Sequence, residues 1–213
     1  NMNSGNKILI IGAGPSGLAA GLFLSGEGIR PRIIEKNNSL STQSKALGVN
    51  PRTLLLLEKS GLTQRFLDRG RKMDKINFWH GEQLIFQNDL TKIDHKYPFM
   101  LVLPQKESEE LLLEELNNRK LEVEFETTFQ LMSHGENQVN TVISDSQGNL
   151  EEQTFDLIIG ADGARSKVRE LSGIETKGFQ YQEEWELYDV ALDMPRANNE
   201  GHVIILEEGG IVV

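Results

Sequence analysis

The stretch from Lys7 to Lys36 restricts the fold more than any other. It reads as an apolar strand, Lys7-Ile8-Leu9-Ile10-Ile11, a glycine turn, Gly12-Ala13-Gly14-Pro15-Ser16-Gly17, a small-residue helix from Leu18 to Gly26, and a second strand, Pro31 to Ile34, closing on Glu35. That order makes one complete βαβ unit, because parallel strands need a helical crossover between them. The three glycines do different things. Gly12 permits the tight turn out of the strand, Gly14 lets a pyrophosphate approach the backbone, and Gly17 allows the helix to pack closely on the sheet. At the helix start the first N–H groups lack helical partners and the peptide dipoles sum to a partial positive charge, which favours an anion. Glu35 lies 18 residues beyond Gly17, near the roughly 20-residue offset at which a carboxylate accepts hydrogen bonds from an adenosine ribose. The unit therefore predicts an adenine-dinucleotide site built from Gly12, Ala13, Gly14, Pro15, Ser16 and Gly17, with Glu35 and Lys36 at the end of the second strand. A glycine triplet also serves plain turns. Here the preceding strand, the following helix and the acid supply the context that a binding turn requires.

At 213 residues and 38% hydrophobic, the chain is long enough for one large or two small domains with a real core. No apolar run reaches the roughly 18 residues of a membrane helix, so a soluble chain is expected. The polar start, Asn1 to Asn6, lacks the basic-then-apolar order of a signal peptide. With no cysteine there is no disulfide framework, which fits a reducing cytoplasm. A net charge of −10 argues against a nucleic-acid surface, whose affinity comes from clustered Lys and Arg. An anionic cofactor must then be held by local N–H groups and a few placed cations.

Beyond Glu35 a polar loop, Asn37 to Ser44, leads to Pro51 at a helix start and Thr53 to Lys59, then a short helix from Thr63 to Arg69. Lys75 to Trp79 and Leu84 to Phe86 flank Gly81-Glu82 and read as a β-hairpin inserted in an otherwise parallel plan. Phe99 to Leu103 is a strand stopped by Pro104, and Gln105 to Asn118 is an amphipathic helix with leucines 111, 112, 113 and 116. Leu121 to Phe125, Thr128 to Met132 and Gln138 to Ser144 suggest a three-stranded meander beside the main sheet. A buried strand from Phe155 to Ile159 feeds the turn Gly160-Ala161-Asp162-Gly163 and a helix after it. Strands at Trp185 to Leu192 and His202 to Leu206 precede a last apolar stretch, Ile211-Val212-Val213. An unpaired edge there invites self-association, with a homodimer as its simplest form, and predicts that the natural chain continues.

Taken in order, Gly12 to Gly17 with Glu35, Leu47-Gly48-Val49-Asn50-Pro51-Arg52-Thr53-Leu54, Leu103-Pro104-Gln105, and Gly160-Ala161-Asp162-Gly163-Ala164-Arg165-Ser166 resemble the FAD-dependent aromatic-ring monooxygenases of the p-hydroxybenzoate and phenol hydroxylase type. The likeness spans almost the whole chain. It implies an α/β fold: a Rossmann-like, GR2-type FAD-binding domain from residues 1–72 and 98–178, with an inserted β-rich substrate-side sheet from residues 73–97 and 179–213. It implies FAD with NADPH or NADH, O₂, and a small aromatic substrate; reduced flavin would add O₂ as a C4a-hydroperoxide and pass oxygen to an electron-rich ring. By the same resemblance Asp162 helps hold the pyrophosphate-ribose region with Gly163 permitting close approach, and Gln105 contacts the flavin cofactor. Ser44-Lys45-Ala46 stands where the family usually has Ser-Arg-Ala, so Lys45 supplies charge there without the bidentate fork of Arg. A later Gly-Asp motif of the family falls beyond Val213.

Plainer roles compete at several of these positions. Asp162 can cap the following helix, Gln105 can be a first-turn polar residue, and Lys45 and Arg52 can be solvated loop cations. His80, His95, His134 and His202 show no metal-ligand spacing, and Ser16 lacks the pattern of a nucleophile elbow, so no metal site and no catalytic acid, base or nucleophile is assigned. A flavin oxidoreductase or halogenase that does not hydroxylate, and an inactive dinucleotide-binding protein, are the alternatives that the residues leave open.

Overall fold

The computed structural model describes residues 7–41, 48–179, 199–206 and 210–212. Strand β1 (Ile8–Ile11) is buried throughout and leads through the glycine turn into helix α1 (Pro15–Gly26) and strand β2 (Arg32–Ile34). α1 starts at Pro15 rather than Leu18: proline's fixed φ suits the first helical position, where its missing N–H would lack a partner anyway. Strand β3 (Gly48–Val49) precedes α2 (Pro51–Leu57), where Asn50 caps the helix by accepting the Thr53 amide at 2.8 Å. A 3₁₀ turn at Glu58–Ser60 leads to α3 (Thr63–Arg69), which occupies the predicted residues. Then come β4 (Arg71–Met73), the hairpin of β5 (Lys75–His80) and β6 (Gln83–Asp89), and β7 (Met100–Val102). Helix α4 (Gln105–Asn118) also matches its prediction. The remainder comprises β8 (Val123–Glu124), β9 (Thr128–His134), β10 (Val139–Ser144), β11 (Leu150–Phe155), β12 (Leu157–Gly160), α5 (Lys167–Leu171), β13 (Glu200–Leu206) and β14 (Gly210–Val212).

The main sheet is four-stranded and parallel, in the order β12-β1-β2-β8. Alternate residues of β1 serve opposite faces, as the two-residue strand period requires. Ile10 joins Ile33, Leu18, Leu22, Leu111 and Leu116 under α1 and α4, whereas Leu9 and Ile11 join Ile34, Phe129, Ile143 and Phe155 on the other face. Both faces are covered, which is why the strand reads as an unbroken apolar run. Each fully buried leucine or isoleucine contributes roughly 1.5–3 kcal/mol of apolar burial.

The meander differs from its prediction. Its strands are β9, β10 and β11, in the order β11-β10-β9. The segment Leu121 to Phe125 contributes β8, which pairs parallel with β2 through Ile33↔Val123 and Ile34↔Glu124. The strand that replaces it, Leu-Glu-Glu-Gln-Thr-Phe, is exposed at its first three positions and so carries no apolar signal. Phe155 closes β11 instead of opening the next strand. Asp156 makes the corner, its carboxylate accepting the Lys7 amide at 2.6 Å, and that amide holds its pKa below the usual Asp value. Arg32 ties the two sheets together by pairing with Glu124 at 2.7 Å and Glu151 at 3.0 Å. The Glu124 hydrogen bond is the first cause of its raised pKa, against a desolvation cost.

The inserted hairpin lies in a mixed sheet of order β14-β13-β5-β6, where β13 runs parallel to β5 and β14 antiparallel to β13. A small antiparallel sheet, β3-β7-β4, joins the segments on either side of the hairpin. The predicted strand from Trp185 to Leu192 lies outside the described residues. Among the described residues no helix is long and apolar enough to cross a membrane, and no group of His, Asp and Glu could hold a metal ion.

Candidate cofactor site

The turn after β1, the start of α1 and the turn after β12 interlock at van der Waals distance. Gly12 has φ +104°, a conformation that L side chains rarely adopt, and a Cβ there would lie 2.4 Å from the Ala161 carbonyl oxygen. A Cβ on Gly17 would lie 1.9 Å from the Gly12 oxygen and 3.3 Å from the Ala161 Cβ. Both glycines are thus demanded by packing. Gly14 is different: nothing lies within 4 Å of where its Cβ would project. The space above it opens into a cleft of about 530 Å³.

That cleft brings the distant sequence signals together. Gly12, Ala13, Gly14, Pro15 and Ser16 line it from the first turn, Glu35 and Lys36 from the end of β2, Gln105 from the start of α4, and Asp162 and Gly163 from the turn after β12. Gly17 lies behind the wall, buried against Gly12. Lys45 lies outside the described residues. Arg52 is exposed and does not line the cleft.

Helix α1 presents its N-terminus here with no side-chain cap and no acidic residue in its first turn. The helix dipole and the first-turn amides are therefore available to an anion. Glu35 is held by its main chain, its N–H donating to Glu124 O and its carbonyl accepting the Thr127 amide, each at 2.9 Å. Its Oε2 accepts the Ala13 amide at 2.9 Å, and its Oε1 accepts the Asn37 amide at 3.0 Å and Asn37 Nδ2 at 2.6 Å. Asp162 spends its carboxylate on the start of α5, accepting Ser166 Oγ and the Lys167 amide at 2.6 Å and the Val168 amide at 3.2 Å. Its helix-anchoring role is therefore realised in the structure, and it fixes the turn whose Gly163, at φ +80°, faces open space.

The lining also includes charged and polar residues to which the sequence reading gave no role, among them Asn37, Glu109, Arg165 and Lys167. The signals for Asn37 and Glu109 are local spacing, two residues past Glu35 and one helical turn past Gln105. Arg165 and Lys167 follow the Asp-Gly turn. With Lys36 they bring cations to a cleft that otherwise holds Glu35, Glu109 and Asp162. Two of the histidines take local roles: His202 Nδ1 accepts Trp79 Nε1–H at 3.1 Å, and His95 Nδ1 accepts the Tyr97 amide at 3.0 Å.

An uncapped helix start, open space over Gly14, a carboxylate beside the turn and cations at the rim fit a dinucleotide whose pyrophosphate is anionic and whose ribose offers hydroxyl donors. Comparison with known proteins agrees. The chain is 32% identical over 211 residues to 6-methylpretetramide 4-monooxygenase of Streptomyces rimosus, covering 98% of this chain and 38% of that protein. It is 32% identical over 209 residues to the uncharacterized aromatic compound monooxygenase YhjG of Bacillus subtilis, covering 97% of this chain and 41% of that one. The chain thus spans about two-fifths of the length of these relatives. Among solved structures, p-nitrophenol 4-monooxygenase PnpA from Pseudomonas putida DLL-E4 superposes with a TM-score of 0.76 at 26% identity, over 83% of this chain and 46% of that one. The anhydrotetracycline hydroxylase OxyS from Streptomyces rimosus gives 0.74 at 29% identity, over 82% of this chain and 35% of that one. The family model for the FAD binding domain matches residues 6–211, and the chain belongs to that family of FAD-binding domains.

Proposed function

We propose that this chain is the cofactor-binding part of an FAD-dependent monooxygenase that hydroxylates a small, electron-rich aromatic compound with NADPH or NADH and O₂. The observation that carries the reading is the convergence of Gly12 to Ser16, Glu35, Gln105 and the Asp162-Gly163 turn on one cleft with clear space above Gly14. The names of the relatives and solved structures supply the aromatic class.

In this reading the amides at the start of α1 bind the pyrophosphate, and Lys36, Arg165 and Lys167 offset its charge. Glu35 accepts a ribose hydroxyl, and Gln105 and Gly163 face the flavin side. Bound FAD would supply the redox chemistry, accepting a hydride equivalent from the nicotinamide and activating O₂ so that one oxygen atom goes to the ring and the other leaves as water. The protein's share is orientation and exclusion of water. Residues 73–97 and 179–213 would form a substrate-side sheet distinct from the binding domain of residues 1–72 and 98–178. The β6 edge of that sheet, with Ile85 57% exposed, offers a pairing surface for a homodimer. A cytoplasmic setting would supply the reduced nicotinamide.

The test is turnover under ¹⁸O₂ with NADPH or NADH and a panel of phenols. Product carrying one ¹⁸O atom, with nicotinamide oxidation stimulated by the phenol, is expected. Nicotinamide oxidation with no labelled product from any phenol would favour a flavin oxidoreductase that does not hydroxylate.

A further inference from the structure

Helix α4 carries five glutamates, and one of them, Glu109, is 2% exposed. The position lies on the face that buries Leu112 and Leu116, so a leucine there would simply extend the core. A buried carboxylate costs free energy unless it is hydrogen-bonded, so its use here needs a local reason. The geometry supplies one. Glu109 lines the cofactor cleft, and its Oε1 accepts Gln105 Nε2–H at 2.7 Å across one helical turn.

This contact decides which way the Gln105 amide points. With Gln105 Nε2 donating to Glu109 Oε1, the nitrogen end of the Gln105 amide is the end that faces the carboxyl group. The Gln105 carbonyl oxygen is then directed away from Glu109. We infer that Glu109 is a positioning residue that fixes the Gln105 amide so that its Oε1 is offered to the cleft as a hydrogen-bond acceptor, matched to a hydroxyl donor on the flavin side of bound FAD. The inference rests on the reading of the cleft as the FAD site. It assigns to Glu109 no contact with the reacting atoms.

Glu109→Gln keeps size and places a donor as well as an acceptor opposite Gln105, so Gln105 can adopt either amide orientation. The experiment is a double-mutant cycle read by FAD titration of flavin-free protein, using Gln105→Ala, Glu109→Gln and the double variant, with melting temperature measured in parallel. Loss of one hydrogen bond of about 1 kcal/mol corresponds to roughly a fivefold rise in Kd. Gln105→Ala and Glu109→Gln should each raise the FAD Kd by about that factor, and Glu109→Gln should add nothing in the Gln105→Ala background. If the two effects multiply, Glu109 acts independently of Gln105 and the positioning role is overturned while the FAD site stands. Glu109→Leu separates the two further: restored or higher stability with FAD binding as weak as in Glu109→Gln is expected, and wild-type FAD affinity in Glu109→Leu overturns the inference. Failure of folded wild-type protein to take up FAD overturns the cleft reading and this inference with it.

Discussion

The carboxylate of Glu35 accepts the Ala13 amide at 2.9 Å, so the acid at the end of β2 grips the turn that follows β1. Its other oxygen takes both the amide and the side-chain nitrogen of Asn37. A carboxylate has roughly four acceptor positions. Three donors therefore leave about one for a ribose hydroxyl, and the residue shapes the cleft as well as lining it.

Glu35→Ala removes an acceptor from three donors and from the ribose. Loss of one hydrogen bond to a charged group should weaken FAD binding by roughly 1.5–3 kcal/mol. The melting temperature should fall as well, because the Ala13 amide is left without its partner. Calorimetric titration of FAD beside thermal unfolding checks this. Unchanged affinity would remove Glu35 from the ribose.

Gly14 and Gly17 should respond in opposite ways. Gly14→Val places its side chain in open space, so thermal stability of the flavin-free protein should hold while flavin retention collapses. Gly17→Ala drives a Cβ to 1.9 Å from the Gly12 oxygen, so stability itself should fall, by roughly the 1–3 kcal/mol or more of overpacking. Melting curves and flavin absorbance of the two variants decide it. A stable Gly17→Ala protein would contradict the interlocked turns.

Asp162→Ala should destabilise the protein by about 1–2 kcal/mol, the range for loss of a helix N-terminal acceptor. Ser166 Oγ and the amides of Lys167 and Val168 all lose their acceptor together. Asp162→Asn, which keeps one oxygen, should recover part of the loss. Urea unfolding midpoints report both. Equal stability of Asp162→Ala and wild type would leave Asp162 with a ligand role alone.

The glycine turn, the bounds of α3 and α4, and the hairpin are legible in the sequence because each rests on local rules: turn residues, caps and the 3.6-residue period. What escapes depends on partners far away in the chain. Val123 reads like any short strand residue, and only its pairing with Ile33 puts it in the main sheet. Glu151 and Glu152 hide β11, a strand stabilised by β10 and not by its own apolar residues. In α4, nothing local separates Glu109 from Glu110, since burial is decided by where α1 and the cleft lie. Asp162 follows a strand that residue types reveal, yet its main occupation, holding α5, follows from a turn geometry that they leave open.

A separate pair of groups predicts a pH response. Lys96 Nζ at 2.7 Å and the Tyr97 hydroxyl at 2.6 Å both donate to Glu58 Oε1. The Lys96 bond, then the Tyr97 bond, holds the Glu58 carboxyl below its ordinary value, and the Glu58 bond pushes the Tyr97 phenol up. The Glu58 contribution is full above the unfolded carboxylate value, near about pH 4.3, and is lost as pH falls through the lowered folded value. The Tyr97 contribution is full below about pH 10 and is lost as pH rises through the raised folded value. Glu58→Ala should return Tyr97 toward its ordinary value in a titration followed by NMR of ring-labelled tyrosine. An identical Tyr97 titration in both proteins would contradict the assignment.

Under the proposed function, the cleft framed by Gly14, Glu35 and the Asp162-Gly163 turn holds the adenosine-pyrophosphate half of FAD. Calorimetric titration of FAD into flavin-free wild-type protein, repeated with ADP present, tests this most directly. One FAD per chain, with apparent affinity falling in proportion to added ADP, is the predicted result. Absence of FAD binding by folded protein, or binding that saturating ADP leaves unchanged, would contradict it.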